Sequence, residues 1–209
     1  MNRRTFSSLL LAPLLALLAA CARKPAADPP APATYRVLLQ TTKGDVVILV
    51  HRDWSPIGAD HFYRLVKAGF YNDNAFFRAL PNFVVQWGIN GNPKINQQWS
   101  AISIKDDPPK VSNKIGTVVF AKTGEPDSRT TQVFINLRDN SASLDPQGFT
   151  PFGEIVQGME NIEQIYMGYG DGPPHGQGPD QEAISQNGNA YLRQNYPKLD
   201  YIKSATIIP

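Results

Sequence analysis

At 209 residues with 42% apolar side chains, the chain is long enough for one well-buried domain and short for two. A charged fraction of 18% and a formal net charge of +2 leave no broad basic footprint, which argues against a nucleic-acid partner. The single cysteine and the three histidines, His51, His61 and His175, show no metal-ligand spacing, so a zinc enzyme, a disulfide scaffold and a Cys-His hydrolase drop out and no metal is expected.

Arg3 and Arg4 precede an apolar run, Leu9 to Ala20, that is too short to span a bilayer core of about 30 Å as a helix. Residues 1–20 therefore read as a signal peptide. The run ends in Leu18-Ala19-Ala20-Cys21, which resembles the lipobox of bacterial lipoproteins, where the cysteine is acylated and becomes the first residue. An ordinary signal peptide with a coincidental cysteine is the alternative. Acylation at Cys21 implies more than one acyl chain, and at about 0.8 kcal/mol per buried methylene the attachment is durable. Loss of residues 1–20 leaves 18 basic and 18 acidic side chains, so the membrane is held by lipid rather than by charge. Arg3-Arg4-Thr5-Phe6 also resembles the core of a twin-arginine export signal, although a Sec signal with two adjacent arginines accounts for it equally. Ala22, rather than Asp, after the cysteine favours by resemblance the outer membrane. The expectation is a periplasm-facing lipoprotein of a bacterial cell envelope, monomeric, with residues 21–34 forming the lipidated cysteine and a Pro/Ala-rich, semi-rigid spacer.

The folded domain is expected over residues 35–209. Tyr35–Thr41 and Val46–Val50 flank Thr42-Lys43-Gly44-Asp45 and predict a hairpin. Ser55-Pro56 starts a helix whose apolar positions Ala59, Phe62, Leu65 and Val66 recur at helical spacing until Gly69 stops it, with His61 on its surface. The stretch Phe76–Gly88 reads as two strands broken at Pro81-Asn82, and it carries Arg78 and Gln86, eight positions apart and of the same parity. Taken alone, such a pair is the solvent face of a half-buried sheet. A polar loop is expected over Asn90–Trp99, then a strand over Ile115–Ala121. In Gln132–Asn136, Val133 and Ile135 point inward and Phe134 outward, bracketed by Gln132 and Asn136 as in a small binding surface. Phe149–Val156 is a strand, Met159, Ile162, Ile165 and Tyr166 mark a second short helix, and Tyr201–Ile208 is the last strand. Residues 168–195 are an extra insertion: a Gly/Pro-rich surface loop, then a helix capped by Asp180 and weakened by Asn187-Gly188. Many short strands and few helices indicate a mainly β antiparallel barrel closed at its ends by helices.

Phe76-Phe77-Arg78-Ala79-Leu80-Pro81-Asn82-Phe83-Val84-Val85-Gln86 resembles the signature of the cyclophilins, peptidyl-prolyl cis-trans isomerases. Further blocks stand in the same order: Gly116–Ala121, Thr131–Asn136, Ser143-Leu144-Asp145 and Phe152-Gly153-Glu154. The resemblance implies a closed eight-stranded antiparallel β-barrel capped by two α-helices, with the site on its outer surface and no cofactor. It makes Arg78 the catalytic arginine and Gln86 the residue that orients it. Phe83, Val84, Phe134 and Leu144 become the pocket for the proline ring, with Phe149 at its edge, and Ala121, Lys122, Thr123 and Gln132 line the groove for peptide backbone. The implied substrate is a proline-containing polypeptide, and the implied activity is rotation about X-Pro bonds in exported or envelope proteins. A non-catalytic proline-peptide binding or scaffold module on the same barrel is the competing reading.

This sequence departs from the family pattern at Phe77, where histidine is frequent, at Val84 for methionine, and at Lys122 for asparagine. The loop Lys122–Thr131 is one residue longer than in common relatives. Ser143 stands in the place of a tryptophan associated with cyclosporin binding. Weak cyclosporin sensitivity is therefore expected in an inhibition titration, and tight inhibition at low concentration would contradict it.

Overall fold

A computed structural model of the protein describes residues 29–209, so the expected signal peptide, Cys21 and the first part of the spacer lie outside the described residues. The tail of the spacer is docked on the domain: the Ala31 N–H donates to Asp60 Oδ1 at 2.9 Å, and the Ala33 carbonyl accepts from the Arg52 N–H at 2.9 Å. β1 (Thr34–Thr41) and β2 (Gly44–His51) form the expected hairpin, in register from Thr34↔His51 to Thr41↔Gly44. Alternation along the pair sends Val37, Leu39, Val46, Ile48 and Val50 into the core.

The remaining strands are β3 (Asn74–Ala75), β4 (Arg78–Leu80), β5 (Val84–Trp87), β6 (Thr117–Phe120), β7 (Val133–Asn136), β8 (Pro151–Gln157) and β9 (Tyr201–Ile208). All nine join one curled antiparallel sheet in the order β3-β9-β1-β2-β8-β6-β7-β5-β4. The expected closed barrel of eight strands is thus corrected to an open ladder of nine. The reason is local. A single strand over residues 74–80 would pair β9 with one end and β5 with the other; the Phe76 N–H still bonds the Asp200 carbonyl at 3.0 Å, one rung beyond the β3–β9 pairs, while Arg78 already pairs with Gln86 of β5, so the change of partner falls at Phe77. The two sheet edges are therefore consecutive in the chain, and covalent continuity replaces the missing ladder.

Helix α1 (Pro56–Lys67) inserts Ala59, Phe62, Leu65 and Val66 into the core and ends before Gly69, whose φ of 68° suits glycine. His61 is buried rather than on the surface, its ring 6.2 Å from Trp99 and 5.8 Å from Phe120. Burial, reinforced by the charge of Arg64, lowers its pKa to about 4, so the imidazole is neutral near pH 7. The expected loop over Asn90–Trp99 contains a helix, α2 (Pro93–Ser100), whose cap is Asn92 accepting from the Lys94 N–H at 3.0 Å. It is polar because only Asn96 is buried along it, which is why no apolar periodicity announces it. The short α3 (Ser141–Leu144) and α4 (Met159–Glu163) follow, then α5 (Gln181–Asn195), capped by Asp180 as expected. Gly188 breaks α5 with φ 60° because the Gly91 backbone lies against it, and a side chain there would collide with the Gly91 carbonyl.

The main core stacks Phe62, Tyr71, Phe76, Trp87, Phe120 and Phe152, with Phe62 and Phe152 centroids 4.8 Å apart and Phe120 and Phe152 5.1 Å apart. Each such side chain contributes about 1.5–3 kcal/mol by leaving water. A second core gathers Ala75, Phe77, Ile89, Ile184, Leu192 and Leu199, joining α5 to the broken strand.

The start of α1 is capped from outside its own segment. Ser55 makes no side-chain cap bond to the helix; instead its hydroxyl donates to Asp107 Oδ2 at 2.5 Å, and the N–H groups of Ile57 and Gly58 donate to the same carboxylate at 3.0 and 2.9 Å. Arg129, itself buried, donates to Asp107 at 3.0 Å. Burial raises the Asp107 pKa, but the bonds from Ser55, Ile57 and Gly58 and the charge of Arg129 together hold it below the ordinary value. A depressed folded pKa gives stability that is complete above the unfolded pKa of about 3.9 and is lost as pH falls through the folded value. Asp107→Ala leaves Arg129 under-compensated and is expected to cost about 3 kcal/mol in urea unfolding near pH 7, with a smaller difference from the wild type at the lowest pH.

Candidate active site

The hydrogen-bond register builds the site as a row across four strands. Arg78 on β4 lies opposite Gln86 on β5, Gln86 opposite Phe134 on β7, and Phe134 opposite Val119 on β6. Residues opposite one another in an antiparallel ladder share a face, so all four point away from the core that takes Ala79, Val85, Val133, Ile135 and Val118. The break at Pro81-Asn82 is the turn of the β4–β5 hairpin, with Asn82 at φ 56°, a conformation asparagine tolerates.

Above the row, Val84, Val119, Phe134 and Leu144 form a separate apolar cluster with Phe83, Ala121 and Phe149 packed on it. Phe134 and Phe149 meet edge to face at 5.7 Å. A cavity of about 380 Å³ opens there, lined by Arg78, Phe83, Val84, Gln86, Ala121, Lys122, Phe134, Leu144 and Phe149. Thr123 and Gln132 line an adjoining hollow that shares Gln86, Ala121 and Lys122 with it. Every residue that the family resemblance assigns to the site, within the described residues, is therefore brought to one surface.

A buried chain of amides ties the two aromatic walls together. The Asn140 side chain donates to the Phe83 carbonyl at 3.0 Å and to Asn136 Oδ1 at 2.7 Å, and Asn136 donates to Asn113 Oδ1 at 3.1 Å. Asn113 in turn donates to the Phe149 carbonyl at 2.8 Å and to Asp145 at 2.7 Å. Asn136, expected beside Phe134 on the binding surface, is fully buried in this chain instead, because the loops over β7 cover that end of the strand. Lys122 sits 5.9 Å from the Phe149 ring and 3.4 Å from Asp106, and Ser143 is exposed on α3.

The guanidinium of Arg78 lies at the pocket's edge, 5.8 Å from the Phe83 ring and about one-fifth exposed, at 21%. Its Nη1 donates to Gln86 Oε1 at 3.1 Å, and Gln86 Nε2 donates to Gln132 Oε1 at 2.7 Å. Nε and Nη2 donate to the two oxygens of Asp171, each at 2.8 Å. The bonds from Arg78 hold the Asp171 carboxyl below its usual pKa, against the opposing effect of burial. Sequence reading missed Asp171 together with Pro173, His175 and Gln181, which also line the cavity. Asp171 lies 93 residues from Arg78 in a Gly/Pro-rich loop, and nothing local marks it as a partner. Among the described residues, no three His, Cys, Asp or Glu side chains converge as metal ligands.

Comparisons with known proteins agree on one family. The family model for cyclophilin type peptidyl-prolyl cis-trans isomerase/CLD matches residues 36–184. A peptidyl-prolyl cis-trans isomerase of Acinetobacter baylyi is 34% identical over 137 residues, spanning 64% of this chain and 72% of the relative. Peptidyl-prolyl cis-trans isomerase A of Dickeya dadantii is 32% identical over 163 residues, spanning 76% and 84% respectively. The crystal structure of a Cryptosporidium parvum cyclophilin type peptidyl-prolyl cis-trans isomerase resembles the fold with a TM-score of 0.61 at 18% identity, covering 84% of this chain and 98% of that one. The same parasite protein in the presence of the dipeptide Ala-Pro gives a TM-score of 0.59 at 17% identity, covering 83% and 99%.

Proposed function

The chain belongs to the cyclophilin-type peptidyl-prolyl cis-trans isomerases, and on that premise we propose that Arg78 is its catalytic donor and the cavity beside it the seat of the substrate proline. The enzyme interconverts the cis and trans forms of X-Pro bonds. The observation that carries the residue assignment is the placement of one guanidinium, aimed by Gln86, at the edge of the Val84–Phe134–Leu144 pocket. The Ala-Pro dipeptide used with the Cryptosporidium protein has the chemistry this pocket suits, a small apolar ring joined to a peptide.

Resonance sets the imide barrier at about 18–20 kcal/mol by drawing the nitrogen lone pair into the carbonyl. In the twisted state the prolyl nitrogen becomes pyramidal and its lone pair becomes an acceptor. A guanidinium N–H bonds that nitrogen only then, so the interaction favours the transition state over either ground state. Arginine suits the role because it stays protonated and holds its donors in a rigid plane. The apolar walls grip the ring while Gln132, Ala121 and Thr123 border the groove on which peptide backbone lies. Val84, smaller than the methionine frequent in relatives, gives a looser grip on the ring.

The same proposal places the enzyme in a bacterial envelope as a lipoprotein acylated on Cys21, probing X-Pro bonds of exported proteins. Its support is the Leu18-Ala19-Ala20-Cys21 junction and the short apolar run before it. Uncatalysed isomerisation takes about 10–100 s, slow enough to limit folding after export.

In a protease-coupled assay on a proline peptide, the wild type is expected to exceed the uncatalysed rate and Arg78→Ala to lose about a hundredfold in kcat/KM. An inactive wild type, or an active Arg78→Ala protein, would count against the assignment. Mass spectrometry of the mature protein is expected to show a lipidated Cys21 as the first residue; a free N-terminus elsewhere would exclude the lipoprotein.

A further inference from the structure

We propose that Asp171 is a positioning residue for Arg78, and that the 168–195 segment is a working wall of the active site rather than a surface addition. The proposal rests on the reading of Arg78 as the catalytic donor.

The sheet's last edge is where the two meet. Ala79 on β4 makes an isolated antiparallel bridge with Gly170, which sets Asp171 beside Arg78 just as Gln86 stands beside it on the other flank. The site row is thereby extended to Asp171–Arg78–Gln86–Gln132, each side chain hydrogen-bonded to the next. Asp171 takes Nε and Nη2 in a bidentate pair and Gln86 takes one hydrogen of Nη1. Three of the five guanidinium hydrogens are engaged, and one on each Nη remains for substrate.

The loop is shaped around this carboxylate. The Gly172 N–H donates to Asp171 Oδ1 at 2.9 Å, and the Gly178 N–H donates to the Asp171 carbonyl at 2.8 Å. A side chain at Gly176 or Gly178 would run into that carbonyl, so the loop closes only with glycine there. Its flanks are anchored: Tyr169 packs edge-on against Tyr166 at 4.9 Å and Tyr196 at 5.0 Å, and the Tyr196 hydroxyl donates to the Gly178 carbonyl at 3.1 Å. Phe77, adjacent to Arg78, is buried with Ile184 and Leu192 of α5. The arginine and its acidic partner are therefore held on one packed unit. Fixed on both flanks, the guanidinium has little freedom left to lose when the twisted imide forms, which acts on turnover rather than on substrate capture.

The test measures kcat and KM for a proline peptide by NMR exchange, with the intact chain and its variants. Asp171→Ala and the isosteric Asp171→Asn are expected to lower kcat about tenfold with KM changed less than about twofold, and Asp171→Glu to recover much of the loss. In an Arg78→Ala background, Asp171→Ala is expected to cost nothing further. Wild-type kcat in both Asp171→Ala and Asp171→Asn, or an equal loss with and without Arg78, overturns the proposal while leaving Arg78 as the donor. An Arg78→Ala protein that keeps wild-type activity overturns the reading beneath it, and the proposal with it.

Discussion

The pairing of Arg78 with Gln86 across the β4–β5 hairpin is the constraint from which the site follows. Strand side chains alternate faces, so a slip of one residue would turn Arg78 into the aromatic core and Ala79 out to the pocket. Burying a guanidinium among Trp87, Phe76 and Val85 without partners would cost several kcal/mol, which locks the register as firmly as the ladder bonds do. Once that register is set, Phe134 and Val119 fall into the same row and the apolar cluster assembles above them.

Polar groups inside the molecule do the supporting work, and they do it in connected networks. The amide chain from Phe83 to Phe149 joins two walls of the cavity that are far apart in sequence through the side chains of Asn140, Asn136 and Asn113. Asp107 and Arg129 likewise fasten the start of α1 to the loop that carries Asp106, and Asp106 reaches Lys122 at the edge of the groove. Such networks stabilise when every member is bonded and are costly when one is removed, so they confer rigidity on the pocket rather than large net stability.

Phe77 and Val84 are the departures from the family pattern that sit inside the motif itself, and the structure separates their meaning. Phe77 faces away from the pocket into the second core, where α5 and the tyrosines of the 168–195 segment meet it. An aromatic there is a packing requirement of that segment. Val84 lies in the pocket cluster, so its smaller size bears directly on the room in the cavity.

Much of this was legible from residue pattern. The β1–β2 hairpin, α1 with its Pro56 start and Gly69 stop, the last strand and the cap at Asp180 all follow from alternation, helical spacing and turn chemistry, which are local. The polar α2 was not, because little of its surface is buried and no apolar stripe marks it. The nine-stranded open ladder was not, because β3 takes its partner from β9, more than a hundred residues on, while β4 pairs with the neighbouring β5. Asn136 looked like a surface amide until the loops that cover it were in place. The sequence by itself determined the mainly β class, the family and the set of residues from Arg78 to Phe149 that share one surface, since motif order and strand parity are properties of the chain. Only the tertiary structure decided what stands on the other side of Arg78. Asp171 reaches it through a single bridge at a sheet edge, and a contact closed across 93 residues leaves no periodicity in the sequence between them.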